Sequence, residues 1–280
     1  MKLKAYAKVN LGLKIVGKNA QGYHDLESIF IPIKLHDDLI VHPFPVMRFV
    51  VHPNYRIAPE KNTVLKMVEV LREKYKFSEN FSITLYKHIP SQAGLGGGSA
   101  DAAAILNYLN DYFGWNLSVQ EKIDLAKQVG ADVPFCTFNV PAFVSGIGDQ
   151  LDFFGFASNA HLILVQARKG VSTKLAFSKL NYDELKAKDM RAVQKALIEN
   201  NMHDLKESVI NDLEGVAIEL VPEIQELKDQ LKALGCSVVS MSGSGSVVVG
   251  LSEDPKIIDA CYEHFKGKVR FLKKTQFYLG

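Results

Sequence analysis

The sequence is poor in the residues that build disulfide frameworks and metal sites. Its three cysteines are odd in number and widely spaced, and none of them forms a C-x-x-C pair: they are Cys136, Cys236 and Cys261. This spacing argues against a zinc site or a redox motif. The eight histidines show no H-x-x-x-H spacing. We therefore expect the cysteines to be small buried side chains in a reducing compartment.

An excess of charge of one sign and long apolar runs are also absent. The 33 Lys and Arg residues nearly balance the 31 Asp and Glu residues, which leaves a net charge of +2 and argues against nucleic-acid binding through a broad basic field. No apolar run approaches the roughly 18 residues that a membrane helix needs. The first six residues alternate in character instead of forming the apolar core of a signal peptide. The expectation is a cytoplasmic protein with neither a nucleic-acid nor a membrane partner.

The length and the pattern of elements predict the domain organisation. A chain of 280 residues predicts about two domains, and mixed strand and helix patterns predict an α+β fold. The pattern changes character near residue 157, so the predicted domains are 1–156 and 157–280. Within the first of them, short strands punctuated by prolines are predicted over residues 26–56.

The opening segment alternates as a strand with one buried face. Its apolar residues occupy one parity from Leu3 to Ile15, whereas Lys8 and Asn10 occupy the other. These two side chains should project from the same face, roughly 7 Å apart. Taken alone, the alternation favours Lys8 as an exposed lysine on the solvent side of an edge strand.

Two polar residues lie at predicted helix ends. Asn62 precedes an amphipathic pattern and is predicted to cap that helix. In Gly130-Ala-Asp-Val-Pro134, the proline disfavours the helical conformation of Val133. Asp132 is therefore predicted on a short turn beyond a helix, where the simplest role of its side chain would be to stabilise that turn.

A glycine-rich segment runs directly into a helical pattern. Gly94, Gly96, Gly97 and Gly98 precede Ser99 at the head of that helix. Glycine permits positive φ and lets a ligand approach the main chain, while the start of a helix offers unpaired N–H groups and partial positive charge. The combination favours an anion cradle, most naturally for phosphates. A flexible turn is the alternative.

The common nucleotide and hydrolase motifs do not fit this segment. A P-loop needs a lysine after its last glycine, and the dinucleotide fingerprint needs a third glycine where Ser99 stands. The sequence also lacks the nucleophile elbow around its glycine-flanked serines and the H-R-D and D-F-G motifs of eukaryotic-type protein kinases. The predicted phosphate loop therefore belongs to another class.

Three segments together resemble the signatures of the GHMP small-molecule kinases: Ala7-Lys-Val-Asn-Leu-Gly-Leu13, Pro90-Ser-Gln-Ala-Gly-Leu-Gly-Gly-Gly-Ser99 and Ser242-Gly-Ser-Gly245. Within this superfamily the resemblance is closest to the kinases of 4-diphosphocytidyl-2-C-methyl-D-erythritol (CDP-methylerythritol). The segments that carry this closer resemblance are Gly22-Tyr-His24, Gly130-Ala-Asp-Val-Pro-Phe135 and Asn211-Asp-Leu-Glu214. The family segments occur in family order along nearly the whole chain.

The resemblance implies a fold and a reaction. The fold would be α+β with two domains, a ribosomal-protein-S5-like N-terminal domain and a ferredoxin-like C-terminal domain, with the active site in the cleft between them. The activity would be ATP-dependent phosphorylation of the 2-hydroxyl of CDP-methylerythritol in the non-mevalonate isoprenoid pathway, by a monomer or weak homodimer. The alternatives are another GHMP kinase, acting on homoserine, mevalonate or a sugar, and a catalytically silent nucleotide-binding regulator.

The resemblance also implies roles on the ATP side. Lys8 and Asp132 would surround the hydroxyl that receives the γ-phosphoryl group. The Asp would accept its proton, and the Lys would either neutralise phosphate oxygens or orient Asp132. Asn62 would lie near the adenine. Mg²⁺ is expected to accompany ATP, because the phosphates need charge neutralisation during transfer. The residues expected to hold the ATP phosphates are Gly94, Leu95, Gly96, Gly97, Gly98 and Ser99. Ala100 departs from the family pattern, in which a second serine often follows Ser99.

On the substrate side, the resemblance implies a diphosphate contact and a cytidine pocket. Asn10 would donate its amide to the substrate's diphosphate. Tyr23 would stack on the cytosine, and His24 would form a hydrogen bond with its polar edge. The opposite wall of the pocket and the lining of the cleft are assigned to Thr173, Phe177, Ser242 and Gly243.

Overall fold

The computed structural model describes residues 1–19, 22, 24–53, 62–182, 185 and 188–280. The chain forms two compact units, each assembled from separate segments. The first comprises Met1–Ala7, Leu35–Ile89 and Gly96–Asn139, and the second comprises Lys8–Lys34, Pro90–Leu95 and Val140–Gly280. The boundary after residue 156 stays a prediction. Two long strands, β1 (Lys2–Lys18) and β2 (His24–Pro43), contribute residues to both units.

In the first unit, helices pack together beside a short stretch of sheet. Strand β4 (Phe81–Tyr86) pairs antiparallel with residues 38–43 of β2 and parallel with β3 (Arg48–His52). Helices α1 (Thr63–Tyr75) and α2 (Gly97–Phe113) pack along one another. Their apolar faces hold buried Met67, Leu71 and Leu106. The elements of this unit are β3 (Arg48–His52), α1 (Thr63–Tyr75), β4 (Phe81–Tyr86), α2 (Gly97–Phe113), α3 (Val119–Ala126) and α4 (Val133–Phe138).

The second unit is built around a four-stranded antiparallel sheet. Its strands are, in spatial order, β10 (Phe271–Gln276), β7 (His161–Gln166), β9 (Val247–Ser252) and β8 (Val238–Met241). Its core includes Ile163 and Val248 from the sheet and Leu227 and Phe265 from helices. Residues 28–30 of β2 pair with β5 (Ala142–Ser145), which pairs in turn with β6 (Gln150–Phe153). The elements are β5 (Ala142–Ser145), β6 (Gln150–Phe153), β7 (His161–Gln166), α5 (Thr173–Ser178), α6 (Met190–Ile198), α7 (Met202–Ser208), α8 (Glu214–Leu220), α9 (Glu223–Ala233), β8 (Val238–Met241), β9 (Val247–Ser252), α10 (Pro255–Phe265) and β10 (Phe271–Gln276).

The helix start predicted at Asn62 is confirmed. Asn62 caps α1 by accepting from the N–H groups of Val64 and Leu65. Helix α3 begins with the capping box that Ser118 and Glu121 form. The turn predicted after Gly130 is wrong in one respect, because a short helix, α4, begins at Val133. Pro134 lies in the first turn of that helix, where its missing N–H would have had no partner in the helix.

The strand predictions need two corrections. Lys8 and Asn10 are 3% and 1% exposed, so β1 is covered on both faces at these positions. Strand β2 also runs unbroken through Pro32 instead of forming several short strands. Proline lacks only the backbone N–H, and the Pro32 carbonyl oxygen still accepts the N–H of Tyr278 at 2.8 Å.

The three cysteines are buried, as expected. Within the described part of the chain, no helix combines the length and the apolar character needed to cross a membrane.

Candidate active site

A buried lysine lies on β1 within the second unit. The Lys8 Nζ donates to Asn10 Oδ1 at 2.6 Å and lies 4.4 Å from the centre of the Phe30 ring. This contact confirms that residues 8 and 10 share a face of the strand. The exposed Lys8 favoured by alternation alone is wrong. Because burying an ammonium group is costly, its place among apolar strand residues points to a functional role.

Asn10 connects β1 to two other segments of the second unit. Its backbone N–H donates to Ser242 Oγ at 3.1 Å, and its Nδ2 donates to Ser28 Oγ at 3.0 Å. The Ser28 hydroxyl in turn donates to the carbonyl oxygen of Gly12 at 2.5 Å. These bonds orient the Asn10 amide so that its oxygen faces Lys8. Ser28 is absent from the predicted site, since a single serine within a strand gives no recognisable signal.

The start of the glycine-rich segment lies against the loop between β8 and β9. Ser242 Oγ donates to the carbonyl oxygen of Gly94 at 2.9 Å. A Cβ on Gly94, whose φ is +73°, would lie only 2.0 Å from the Ser242 carbonyl oxygen. The N–H of Lys8 donates to the carbonyl oxygen of Leu95 at 3.0 Å. Residues from all three GHMP-like segments therefore meet inside the second unit.

Asn211 holds the loop after β8 in shape. Its Nδ2 donates to the carbonyl oxygens of Met241 and Gly243 at 2.9 and 2.8 Å, and its Oδ1 accepts the N–H of Leu213 at 2.9 Å. Asn211 is not among the predicted site residues, although it opens one of the family-like segments. That segment was the signal that could have identified it.

In the first unit, the head of α2 has the features of an anion cradle. Gly96 occupies the N-cap position with φ 68° and supplies no capping side chain. The first N–H groups of a helix have no carbonyl partner within it, and they carry the positive end of the helix dipole. Gly97, Gly98 and Ser99 form this first turn. Thr63, which is absent from the predicted site, donates its hydroxyl to the Gly98 carbonyl oxygen at 2.6 Å.

Asn62 and Asp132 occupy N-cap positions in the first unit. Asn62 is buried, and its Oδ1 is engaged in the cap; its place near an adenine stays a prediction. Asp132 is half-buried and makes no side-chain capping bond to α4. Asp132 therefore does not serve as the side-chain cap of α4. Because Asp132 and Lys8 belong to different units, their joint action stays a prediction.

An aromatic cluster surrounds His24 in the second unit. The His24 ring lies 4.7 Å from the Phe177 ring and stacks at 6.1 Å with Tyr182, a residue absent from the predicted site. The Nε2 of His24 is buried without a hydrogen-bond partner. Burial, and then the charge of Lys18, lowers the pKa of His24, which favours the neutral ring. Tyr23, the predicted stacking residue, lies outside the described residues.

Thr173 lies at the start of α5, the helix that carries Phe177. The hydroxyls of Thr173 and Ser244 are 2.7 Å apart. This hydrogen bond connects the predicted wall of the cytidine pocket to the loop that contains Ser242 and Gly243.

No group of three or more His, Cys, Asp or Glu side chains in the described residues could hold a metal ion. A divalent cation that arrives with a nucleotide keeps several waters and needs few protein ligands. The residues present are thus compatible with Mg²⁺ carried by nucleotide phosphates and offer no cage of their own.

Comparison with protein families and curated relatives gives a consistent result. Residues 62–146 match the GHMP kinases N terminal domain, and residues 182–269 match the GHMP kinases C terminal domain. The 4-diphosphocytidyl-2-C-methyl-D-erythritol kinase of Acetivibrio thermocellus is 36% identical over 267 residues, covering 94% of each chain. The kinase of the same name from Lachnoclostridium phytofermentans is 35% identical and covers 97% of this chain and 96% of its own.

Solved structures agree with these matches. A crystal structure of 4-(cytidine 5'-diphospho)-2C-methyl-D-erythritol kinase superposes with a TM-score of 0.82 at 30% identity, covering 98% of this chain and 99% of its own. A homoserine kinase from Cytophaga hutchinsonii shares the fold with a TM-score of 0.72 at 18% identity, covering 99% of this chain and 93% of its own. The predicted two-domain α+β kinase fold is therefore confirmed. The chain belongs to the GHMP kinases and, within them, to the 4-diphosphocytidyl-2-C-methyl-D-erythritol kinases.

Proposed function

We propose that this chain transfers the γ-phosphoryl group of ATP to the 2-hydroxyl of CDP-methylerythritol. The products are the 2-phosphate and ADP, within the non-mevalonate route to isoprenoid precursors. The observation that carries the proposal is nearly full-length similarity to kinases of this name, at 36% identity for the Acetivibrio thermocellus relative and 30% for the solved structure.

Lys8 and Asp132 are the proposed catalytic residues. A bond forms between the substrate oxygen and the γ-phosphorus while the bond from that phosphorus to the β–γ bridging oxygen breaks. The carboxylate of Asp132 aligns the hydroxyl and accepts its proton. Because an ordinary aspartate has a pKa of about 3.9, far below that of an alcohol, the proton leaves late in the transfer. Catalysis then rests mainly on positioning and on neutralisation of phosphate charge by Lys8.

The glycine-rich segment is the proposed phosphate site. The N–H groups at the head of α2 would donate hydrogen bonds to the phosphates of ATP, and the hydroxyl of Ser99 lies in the same turn. Asn62, at the N-terminus of the neighbouring helix α1, is the proposed adenine contact. Mg²⁺ would arrive bound to ATP and neutralise phosphate charge. On the side of the second substrate, Asn10 is the proposed contact to the diphosphate.

The His24 cluster supports a cytidine substrate over homoserine or mevalonate. A flat nucleobase needs an aromatic surface and a polar partner at its edge, and neither homoserine nor mevalonate carries a nucleobase. Phe177 supplies a ring beside His24, and the unpartnered His24 Nε2 supplies a polar atom. Thr173 belongs to the proposed wall of this pocket, whereas Ser242 and Gly243 belong to the proposed lining of the cleft.

A substrate panel tests the proposal. The purified protein is given Mg-ATP with CDP-methylerythritol, homoserine or mevalonate, and ADP release is followed by a coupled assay. We expect ADP release only with CDP-methylerythritol. Release with homoserine or mevalonate instead would identify another GHMP kinase, and no release with any of them would favour a silent nucleotide-binding regulator. Size-exclusion chromatography of the same preparation tests the predicted monomer or weak homodimer.

The Gly97→Val variant tests the phosphate site. A Cβ at this position would lie 2.8 Å from Ile89 Cγ2 and 3.3 Å from Lys87 Nζ, so the head of α2 has to move. We expect the Kd for ATP, measured by calorimetry, to rise on the order of tenfold or more, because small displacements of a binding group weaken its contacts strongly. Gly155→Val is the matched control, since a Cβ on Gly155 meets nothing within 4 Å. An unchanged Kd in the Gly97→Val protein argues against the cradle.

The His24→Ala variant tests the cytidine pocket. Loss of the hydrogen bond to the edge of the base, and of the ring that packs against Phe177, should raise the KM for CDP-methylerythritol on the order of tenfold, while the KM for ATP stays unchanged. His203→Ala, at an exposed position on α7, is the control. If the KM for ATP rises as much as the KM for CDP-methylerythritol, His24 does not read the base.

A further inference from the structure

Three charged residues lie buried together in the first unit, outside the groups assigned to catalysis. Asp37 of β2 is fully buried, and the side chains of Lys87 and Asp101 are 13% and 3% exposed. These three residues lie outside the family-like segments, and the proposed reaction assigns no role to them. Because buried ion pairs add little to stability compared with apolar residues of the same size, their presence calls for another explanation.

Asp37 anchors the chain just before the glycine-rich segment. Its Oδ1 accepts the N–H groups of His88 and Ile89 at 2.5 and 2.8 Å. Its Oδ2 accepts from Lys87 Nζ at 2.5 Å. All three donors belong to consecutive residues that end one position before Pro90. A single carboxylate thus fixes the backbone from which the loop departs.

Lys87 extends this anchor to the helix that follows the loop. Its Nζ donates to Asp101 Oδ2 at 2.7 Å, and Asp101 lies on α2 one turn after Gly97. The same Nζ lies 3.3 Å from the point that a Cβ on Gly97 would occupy. The ammonium group therefore sits directly against the first turn of α2, the turn proposed to hold the ATP phosphates.

The charges in this cluster do not balance when both carboxylates are ionised. Burial, together with the nearby Asp37 charge, raises the pKa of Asp101 to about 7 against the opposing effect of Lys87. The Asp101 Oδ1 also has no hydrogen-bond partner. A buried carboxylate oxygen without a partner costs free energy, so this arrangement is not one that stability alone would favour.

We infer that Asp37, Lys87 and Asp101 are positioning residues for ATP. The cluster joins the chain before the glycine-rich segment to the first turns of α2 after it, and so holds the phosphate-binding N–H groups in one arrangement. None of the three needs to touch the nucleotide. This inference rests on the proposed role of the segment in ATP binding, but it does not depend on which alcohol accepts the phosphoryl group.

The Asp101→Leu variant separates this role from general stability. It removes the link to α2 while leaving Lys87 paired with Asp37, so no buried charge is stranded. We expect the Kd for a non-hydrolysable ATP analogue to rise on the order of tenfold or more, with the KM for CDP-methylerythritol unchanged. Asp101→Asn should restore most of the affinity, because its amide oxygen can still accept from Lys87.

Asp111→Leu, at an exposed position on the same helix, is the matched control and should bind the analogue as the unaltered protein does. Unaltered affinity in a folded Asp101→Leu protein overturns the inference, as does an equal rise in KM for both substrates. If Asp101→Leu does not fold, the Kd of a Lys87→Arg variant for the ATP analogue tests the inference instead. The exchange keeps the charge but changes the donor geometry, so a folded variant with unaltered affinity also overturns the inference.

Binding of the analogue is measured without the second substrate, which distinguishes two failures. If the analogue binds as expected across these variants but CDP-methylerythritol is not phosphorylated, only the proposed function fails. If CDP-methylerythritol is phosphorylated while Asp101→Leu binds the analogue normally, only the positioning role fails.

Discussion

Replacing Asp132 by Asn should lower kcat by roughly 10²–10⁴-fold, the range expected for loss of a positioned general base. The amide has nearly the shape of the carboxylate, but it cannot accept the proton of the substrate hydroxyl. Asp132 makes no side-chain capping bond to α4, so the exchange does not remove a helix cap. The KM for ATP should change little and the fold should survive the exchange, which the midpoint of thermal unfolding checks.

The control for this experiment is Asp124→Asn on α3. The side chain of Asp124 is 46% exposed and pairs with Lys127 at 2.7 Å, a surface ion pair of the kind that contributes little to stability. Its kcat should match that of the unaltered enzyme. If Asp132→Asn keeps near-normal turnover with CDP-methylerythritol, Asp132 is not the proton acceptor.

Local sequence signals predict the parts of this protein whose causes are local. The cap at Asn62 depends on N–H groups only a few residues away, and so does the capping box of α3. The end of α2 follows from Gly114, which adopts the left-handed conformation there. Propensity and spacing carry this information because cause and effect lie within one turn of helix.

The reasons for individual glycines are different, because they depend on distant residues. The sequence suggests that glycine lets a ligand approach the phosphate loop. In the structure, Gly94 is required by Ser242, 148 positions along the chain, and Gly97 is required by Ile89 and Lys87. The glycine pattern thus indicates where the backbone is crowded, but it does not distinguish a ligand from another part of the protein.

Alternation along β1 has the same limit. It assigns Lys8 and Asn10 correctly to one face, but it carries no information on what covers that face. The covering groups, among them Ser28, Phe30 and Ser242, come from segments that have no local relation to β1. The resemblance to the GHMP kinases pointed to Lys8 where composition and periodicity favoured an exposed side chain.

Lys8→Met is expected to separate activity from stability more sharply than any other change. Methionine has nearly the length of lysine and no charge, so the variant removes a buried ammonium group, 3% exposed as a residue, without opening a large cavity. We expect kcat to fall roughly 10²–10³-fold, as for the loss of one electrostatic contact in a transition state. The midpoint of thermal unfolding should change far less than kcat, because loss of the bond to Asn10 Oδ1 is offset in part by the end of the desolvation cost of the charge.

Lys14→Met is the matched control, since Lys14 lies on the same strand with the same parity and pairs only distantly with Glu27, at 3.8 Å. It should leave kcat unchanged. Lys8→Arg should not restore activity, because a planar guanidinium does not fit the space of a compact ammonium against Asn10. A Lys8→Met enzyme that loses thermal stability and turnover together would make Lys8 a structural residue. The parallel measurement of unfolding and kcat therefore decides between a residue that supports the strand and one that acts on the transferred phosphoryl group.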